Sequence, residues 1–184
     1  MGVMKYQTKP YHPHFHNQLF GGFNEFSFLG AMMTPAINGS IFTYELAPCF
    51  TLMEMELFEH MRKQIGWDQI DGTMCPGGSF ANFMGLHLSR HKIHPEFNKT
   101  GMHGNLKIFT SEVCHYSMFK GAILCGIGSN NLIYVKTDEN SRMIPSELEK
   151  CIQEEKSKGY EALIVNTTVG TTVEGAIDPV TEIG

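Results

Sequence analysis

Lys107-Ile108-Phe109-Thr110, then Tyr116-Ser117-Met118-Phe119-Lys120-Gly121-Ala122-Ile123-Leu124, then Leu132-Ile133-Tyr134-Val135 is the stretch that decides the fold. The first and last runs are short and mainly apolar, with β-branched and aromatic side chains that suit buried strands. The middle run repeats its apolar residues at helical spacing, and Gly126 can end that helix. A strand, a helix and a strand in succession predict two parallel strands joined by a crossover.

The pattern continues in both directions. Downstream, Ser146 with Glu149 three residues later forms a capping box for a helix through about Lys156. Ala162 to Val165 reads as a third strand, followed by a polar turn from Asn166 to Thr172. Asp178 is placed to cap another helix, with Pro179 at its first position. Upstream, Leu52, Met55, Leu57, Phe58, Met61 and Ile65 mark an amphipathic helix over Thr51 to Ile65 that Gly66 closes. Turn formers fill Asp71 to Gly78, and Phe80, Phe83, Met84, Leu86 and Leu88 then carry a helix to about His91. Before Phe42 the chain is rich in Pro, Gly, Asn, His and Phe without steady period, which predicts an irregular segment with at most short helices. Strands alternating with helices predict the α/β class: a mainly parallel sheet with flanking helices. The expected division is an N-terminal segment over 1–45 and an α/β domain over 46–184, which stops before its sheet is complete.

Composition narrows the function. With 184 residues, 42% apolar and 18% charged, the chain can bury a core. Fourteen Lys plus Arg against nineteen Asp plus Glu, with no basic block, disfavour nucleic acid and anionic membranes as partners. Cys49, Cys75, Cys114, Cys125 and Cys151 are irregularly spaced without a C-x-x-C pair, and Met1 to Tyr11 lacks the apolar run of a signal peptide. A reduced, cytoplasmic protein is the expectation.

Three short stretches can carry chemistry. In Cys75-Pro76-Gly77-Gly78-Ser79, the paired glycines let backbone N–H groups approach an anion, Ser79 adds a hydroxyl, and the next helix directs its positive end there. His115 lies just beyond the first strand, at the carboxyl edge where open α/β sheets bind ligands. Asn166-Thr167-Thr168-Val169-Gly170-Thr171-Thr172 crowds hydroxyls after the third strand. Each has a plainer reading, as a helix-starting turn, a structural histidine and a self-satisfied turn. Their shared location at turns and strand ends of one α/β unit favours a common ligand. His12, His14 and His16 could share one face of an extended segment, but Pro13 breaks the regularity and no carboxylate lies among them, so no metal is expected. His87 and His91 lack the glutamate of a zinc-protease helix, and Gly126-Ile127-Gly128 precedes a strand where a dinucleotide loop would follow one.

Taken in order, His12-Pro13, Asn17-Gln18-Leu19-Phe20, Thr43-Tyr44-Glu45-Leu46-Ala47-Pro48, Cys75-Pro76-Gly77-Gly78-Ser79, Cys114-His115-Tyr116-Ser117, Lys120-Gly121-Ala122 and Gly170-Thr171-Thr172 through Asp178 resemble the group II pyridoxal-phosphate decarboxylases. Asn17-Gln18-Leu19-Phe20 and Cys114-His115-Tyr116-Ser117 look more like the branch acting on cysteine sulfinate and related acidic amino acids than like glutamate decarboxylase. The resemblance implies a fold-type I large domain, pyridoxal 5'-phosphate as cofactor, a small acidic amino acid as substrate and a homodimer. It implies that Gly78 and Ser79 hold the cofactor phosphate and that Thr168 contacts the cofactor. His115 would stack on the pyridine ring and act as a catalytic group in proton transfer, with Gln18 and Phe20 near the substrate's distal acid. A narrow pocket at Phe20 would suit the shorter acids. Deamination or another fold-type I lyase reaction is a competing chemistry, and a non-catalytic chain that pairs with a full-length subunit or binds cofactor is the alternative from another class.

In the group, the lysine forming the Schiff base, the aspartate pairing with the pyridine nitrogen and the domain supplying a substrate-binding arginine follow the part that this chain resembles. The 184-residue polypeptide alone is therefore expected to be inactive. Purified without any longer chain, it should release no carbon dioxide from cysteine sulfinate, aspartate or glutamate; turnover in that preparation would overturn the expectation.

Overall fold

Leu106–Ser111 forms β1, and all six of its residues are buried. In the computed structural model β1 lies at the centre of a parallel sheet, between β2 (Leu132–Val135) and β3 (Ala162–Asn166), in the order β2-β1-β3. Ile108 is in register with Leu132, and Leu106 with Ala162. The structure describes all residues except 1, 17, 18, 20, 103–105 and 161; residues 3, 4, 162 and 163 are described by backbone alone.

Two units divide the chain, Met1–Met74 and Cys75–Gly184. The second holds the sheet. On one face, Leu106 and Ile108 pack with Leu86 of α4 (Gly78–Ile93) and with Met118 and Ala122 of α6 (Ser117–Leu124). On the other, Phe109 packs with Val135, Met143 and Leu148, the last on α7 (Pro145–Ser157). Helices therefore cover both faces, as a parallel sheet requires. Gly121 permits the close approach of α6 to α4, because a Cβ there would stand 2.7 Å from Leu86 Cδ1. Lys107 points to the α7 side, where its ammonium lies 3.4 Å from the Glu155 carboxylate and over the Tyr160 ring. Lys158 donates to the same carboxylate at 2.6 Å and, as the main cause, holds it below the usual carboxylate range. The short helices α5 (Phe97–Thr100) and α8 (Val180–Ile183) complete this unit.

The first unit contains α1 (Gly2–Tyr6), α2 (Glu25–Ile37) and α3 (Pro48–Ile65). Helix α3 ends at Gly66, whose φ of 83° is the left-handed cap the sequence suggested. Helix α2 corrects the expectation of at most short helices before Phe42, since it runs for 13 residues. Its caps explain it: Asn24 Oδ1 accepts from the Ser27 N–H at 2.9 Å, and Asn38 takes the left-handed conformation at the other end. Phe26, Leu29, Met32 and Met33 stand more than half exposed, so no buried stripe announces the helix. No helix among the described residues is long and apolar enough to cross a membrane.

Two further expectations are corrected. The Ser146 capping box does not form, because Pro145 takes the first turn and Ile144 becomes the cap without a side-chain bond. Asp178 does not cap α8 through its side chain. Its carboxylate, 2% exposed, instead accepts the Met143 N–H on Oδ1 and the Thr168 N–H on Oδ2, both at 2.7 Å. Pro179, expected at the first helical position, is the cap residue.

Those bonds join the loop after β3 to the segment before α7. Asp178→Asn would direct an amide N–H at one of the two N–H donors and leave that donor buried without an acceptor. Destabilisation of roughly 2–3 kcal/mol is expected, read in the intact protein as a lower urea midpoint at unchanged slope; an unchanged midpoint would contradict the role.

Candidate functional site

The carboxyl ends of the three parallel strands share one edge of the sheet, and a set of polar residues of the second unit gathers there. Beyond β1 the chain turns through residues 112–116 into α6. Glu112 secures this turn: its N–H donates to the Val135 carbonyl at 3.0 Å, and its Oε1 accepts the Thr137 N–H and hydroxyl at 3.1 and 3.0 Å. His115 is half-buried in the same turn, with its ring centroid 4.3 Å from that of Tyr116. Its Nδ1 lies 2.8 Å from Ser117 Oγ and 3.2 Å from the Ser117 backbone nitrogen.

Gly77 precedes α4 with φ of 96°, a conformation that strains any residue with a Cβ. Its carbonyl accepts from the Phe80 and Ala81 N–H groups. Among the described residues, the N–H groups of Gly78 and Ser79 and the Ser79 hydroxyl meet no partner. Free donors at the positive end of a 16-residue helix form an anion cradle. Beside them a cleft of about 490 Å³ is lined by Pro76, Ser79, Phe80, Ser117, Lys120 and Leu124, among others.

Side chains connect these parts. Asn82, one turn after Ser79, donates through Nδ2 to Ser117 Oγ at 2.8 Å, and so links α4 to the His115 turn. Asn166 Nδ2 donates to Thr110 Oγ1 at 3.0 Å across the ends of β3 and β1. Thr168 follows β3 and is held through its N–H by Asp178, while its hydroxyl meets no partner among the described residues. The Thr171 hydroxyl is used within its own loop, accepting the Ala176 N–H at 2.9 Å. The self-satisfied turn is thus the right description for Thr171 and leaves Thr168 available.

The structure brings Gly78, Ser79 and His115 to the joined amino-terminal ends of α4 and α6, and places Thr168 at the neighbouring strand end. Gln18 and Phe20 lie outside the described residues. Asn82, Ser117 and Asp178 were not nominated from sequence. Asn82 and Ser117 fall inside the stretches around Ser79 and His115, but nothing in linear order says that they meet.

Cys114 adjoins His115. Burial pushes its thiol up from the usual range, a hydrogen bond with Thr110 opposes the rise, and the Asp178 charge adds to it. Burial also raises Cys125, against the opposing Arg90 charge, whereas Cys49 is exposed. With iodoacetamide near pH 8, Cys49 should be alkylated first, and Cys125 and Cys114 at least roughly tenfold more slowly, because access and thiolate fraction both fall. Equal labelling in a peptide-resolved time course would refute this order.

A family model, the pyridoxal-dependent decarboxylase conserved domain, matches residues 2–184. Acidic amino acid decarboxylase GADL1 of Bos taurus is 44% identical over 183 residues, covering 98% of this chain and 35% of the relative. Glutamate decarboxylase of Drosophila melanogaster is 44% identical over 184 residues, covering 98% and 36%. The crystal structure of mouse CSAD superposes with a TM-score of 0.94 at 41% identity, over 99% of this chain and 39% of that one. The chain spans about a third of the length of the curated relatives it matches.

Proposed function

This chain belongs to the pyridoxal-dependent decarboxylase family, and from that premise we propose that the whole protein removes the α-carboxylate of an acidic amino acid as carbon dioxide, leaving the amine. The observation that carries this reading is the meeting of two features at one sheet edge: the unpartnered donors of Gly78 and Ser79, and the imidazole of His115. The donor set suits the cofactor. A phosphate dianion matches two free backbone N–H groups, a hydroxyl and a helix amino terminus, and Lys120 adds a positive charge to the adjoining cleft.

Bound pyridoxal phosphate would supply the electron sink for the bond that breaks. Gly78 and Ser79 would hold its phosphate. By the resemblance, His115 would stack on its ring and would assist proton transfer next to the bond that breaks. Thr168 would contact the cofactor near its ring or carboxylate side. By the resemblance, Gln18 and Phe20 are assigned to recognition of the substrate's distal acid, and a bulky Phe20 would favour cysteine sulfinate or aspartate over glutamate. Names of the relatives support the acidic class as a whole. The anchoring lysine and the aspartate that pairs with the ring nitrogen are assigned to the rest of the protein, beyond residue 184, and the working form to a cytoplasmic homodimer. Residues 1–45 are assigned to an N-terminal arm and 46–184 to part of the large domain.

A second reading is a chain that performs no catalysis and pairs with a longer subunit. The exposed apolar side chains of α2 and α3, Phe26 at 77% and Met55 at 62% among them, favour it. Native size separates the two: a single longer species carrying these residues supports the enzyme, and a short chain found beside a longer subunit supports the pairing role.

In the intact protein, Ser79→Ala should weaken pyridoxal phosphate binding about tenfold, the loss of one hydrogen bond to a charged group. Absorbance titration of the apoprotein measures this. Affinity equal to the parent protein's would withdraw Ser79 from the phosphate site.

A further inference from the structure

We propose that Asn82 and Ser117 are positioning residues that fix the proton of the His115 ring on Nε2. The direction of each hydrogen bond follows from what each group can do. The Ser117 backbone N–H only donates, and it points at His115 Nδ1 from 3.2 Å. Nδ1 must therefore offer a lone pair, so the neutral ring carries its proton on Nε2. The Ser117 hydroxyl, 2.8 Å from the same nitrogen, then donates as well. Asn82 Nδ2 donates to that hydroxyl oxygen at 2.8 Å, which occupies a lone pair and leaves the hydroxyl proton for the ring. Ser117 is 2% exposed, so water does not compete at the middle of the relay.

The result is a one-way chain from Asn82 through Ser117 to Nδ1. On its far side the ring presents an N–H donor. Such a donor suits an anion, and a substrate carboxylate has that chemistry. The relay rests on the proposed role of His115 only for this last step, since the proton position is a property of the protein without cofactor.

Asn82→Asp tests the direction at nearly constant size. A carboxylate accepts only, so the Ser117 hydroxyl would turn to Asp and abandon the ring. With histidine-labelled intact apoprotein above neutral pH, nitrogen NMR should show His115 protonated on Nε2 alone, with His115→Asn identifying the signals. Asn82→Asp, in which the reversed Ser117 hydroxyl offers its oxygen to the ring, should populate the Nδ1–H form, whereas Ser117→Ala, which keeps the backbone N–H and offers no acceptor, and Ser117→Thr should both keep the parent tautomer. Loaded with cofactor, Asn82→Asp should lose about fivefold to tenfold in kcat with little change in KM. A parent protein protonated on Nδ1, or an Asn82→Asp protein with the parent's tautomer, overturns the relay. Unchanged decarboxylation in His115→Asn would instead overturn the role of His115 and leave the tautomer result standing.

Discussion

The second unit depends on the two-sided ladder of β1. All six residues of this strand are buried, so no water can satisfy its backbone, and each N–H and C=O must find a partner in β2 or β3. Parallel pairing on both sides follows, with helices against both faces. It also sends the three chain continuations to one edge. The turn bearing His115, the segment beyond Val135 and the loop bearing Thr168 are neighbours because their strands are.

The edge is organised by side chains that bond to backbone or to one another across long stretches of sequence. Asp178 spans 35 residues to reach Met143, Asn82 spans 35 to reach Ser117, and Asn166 spans 56 to reach Thr110. Where such groups are buried, leaving one unpaired costs more than a made bond returns, so the loops have few alternative arrangements. The opposite face carries a comparable polar knot, Lys107 with Glu155 and Tyr160, in which the ammonium has both a carboxylate and an aromatic face. No site residue takes part in that knot.

Much of the fold is legible in the order of residues along the chain. Leu132 to Val135 is a strand over the expected residues, and the runs at Lys107 and Ala162 each extend by one or two residues. The helices opening near Ser79 and Ser117, and the glycine ends at Gly66 and Gly126, also agree, because period and glycine conformation are local properties. Helix α2 leaves no such signal, because its apolar residues surround the helix and form no stripe. The caps expected at Ser146 and Asp178 fail because a capping motif states only what a side chain can reach locally. Pro145 takes the first turn of α7, and the Asp178 carboxylate finds two amides elsewhere.

By itself, the sequence determined the α/β class, the family and the nomination of Gly78, Ser79, His115 and Thr168. The class and the turns around Ser79 and His115 rest on spacing and residue type along the chain, the family and the choice of Thr168 on a resemblance of motifs. Only the tertiary structure decided that Asn82 meets Ser117, that Nδ1 of His115 is an acceptor and that Asp178 clamps the Thr168 loop. Hydrogen bonds of this kind depend on distances of about 3 Å between atoms far apart in sequence. Such distances exist only once the ladder of β1 has brought the strand ends together.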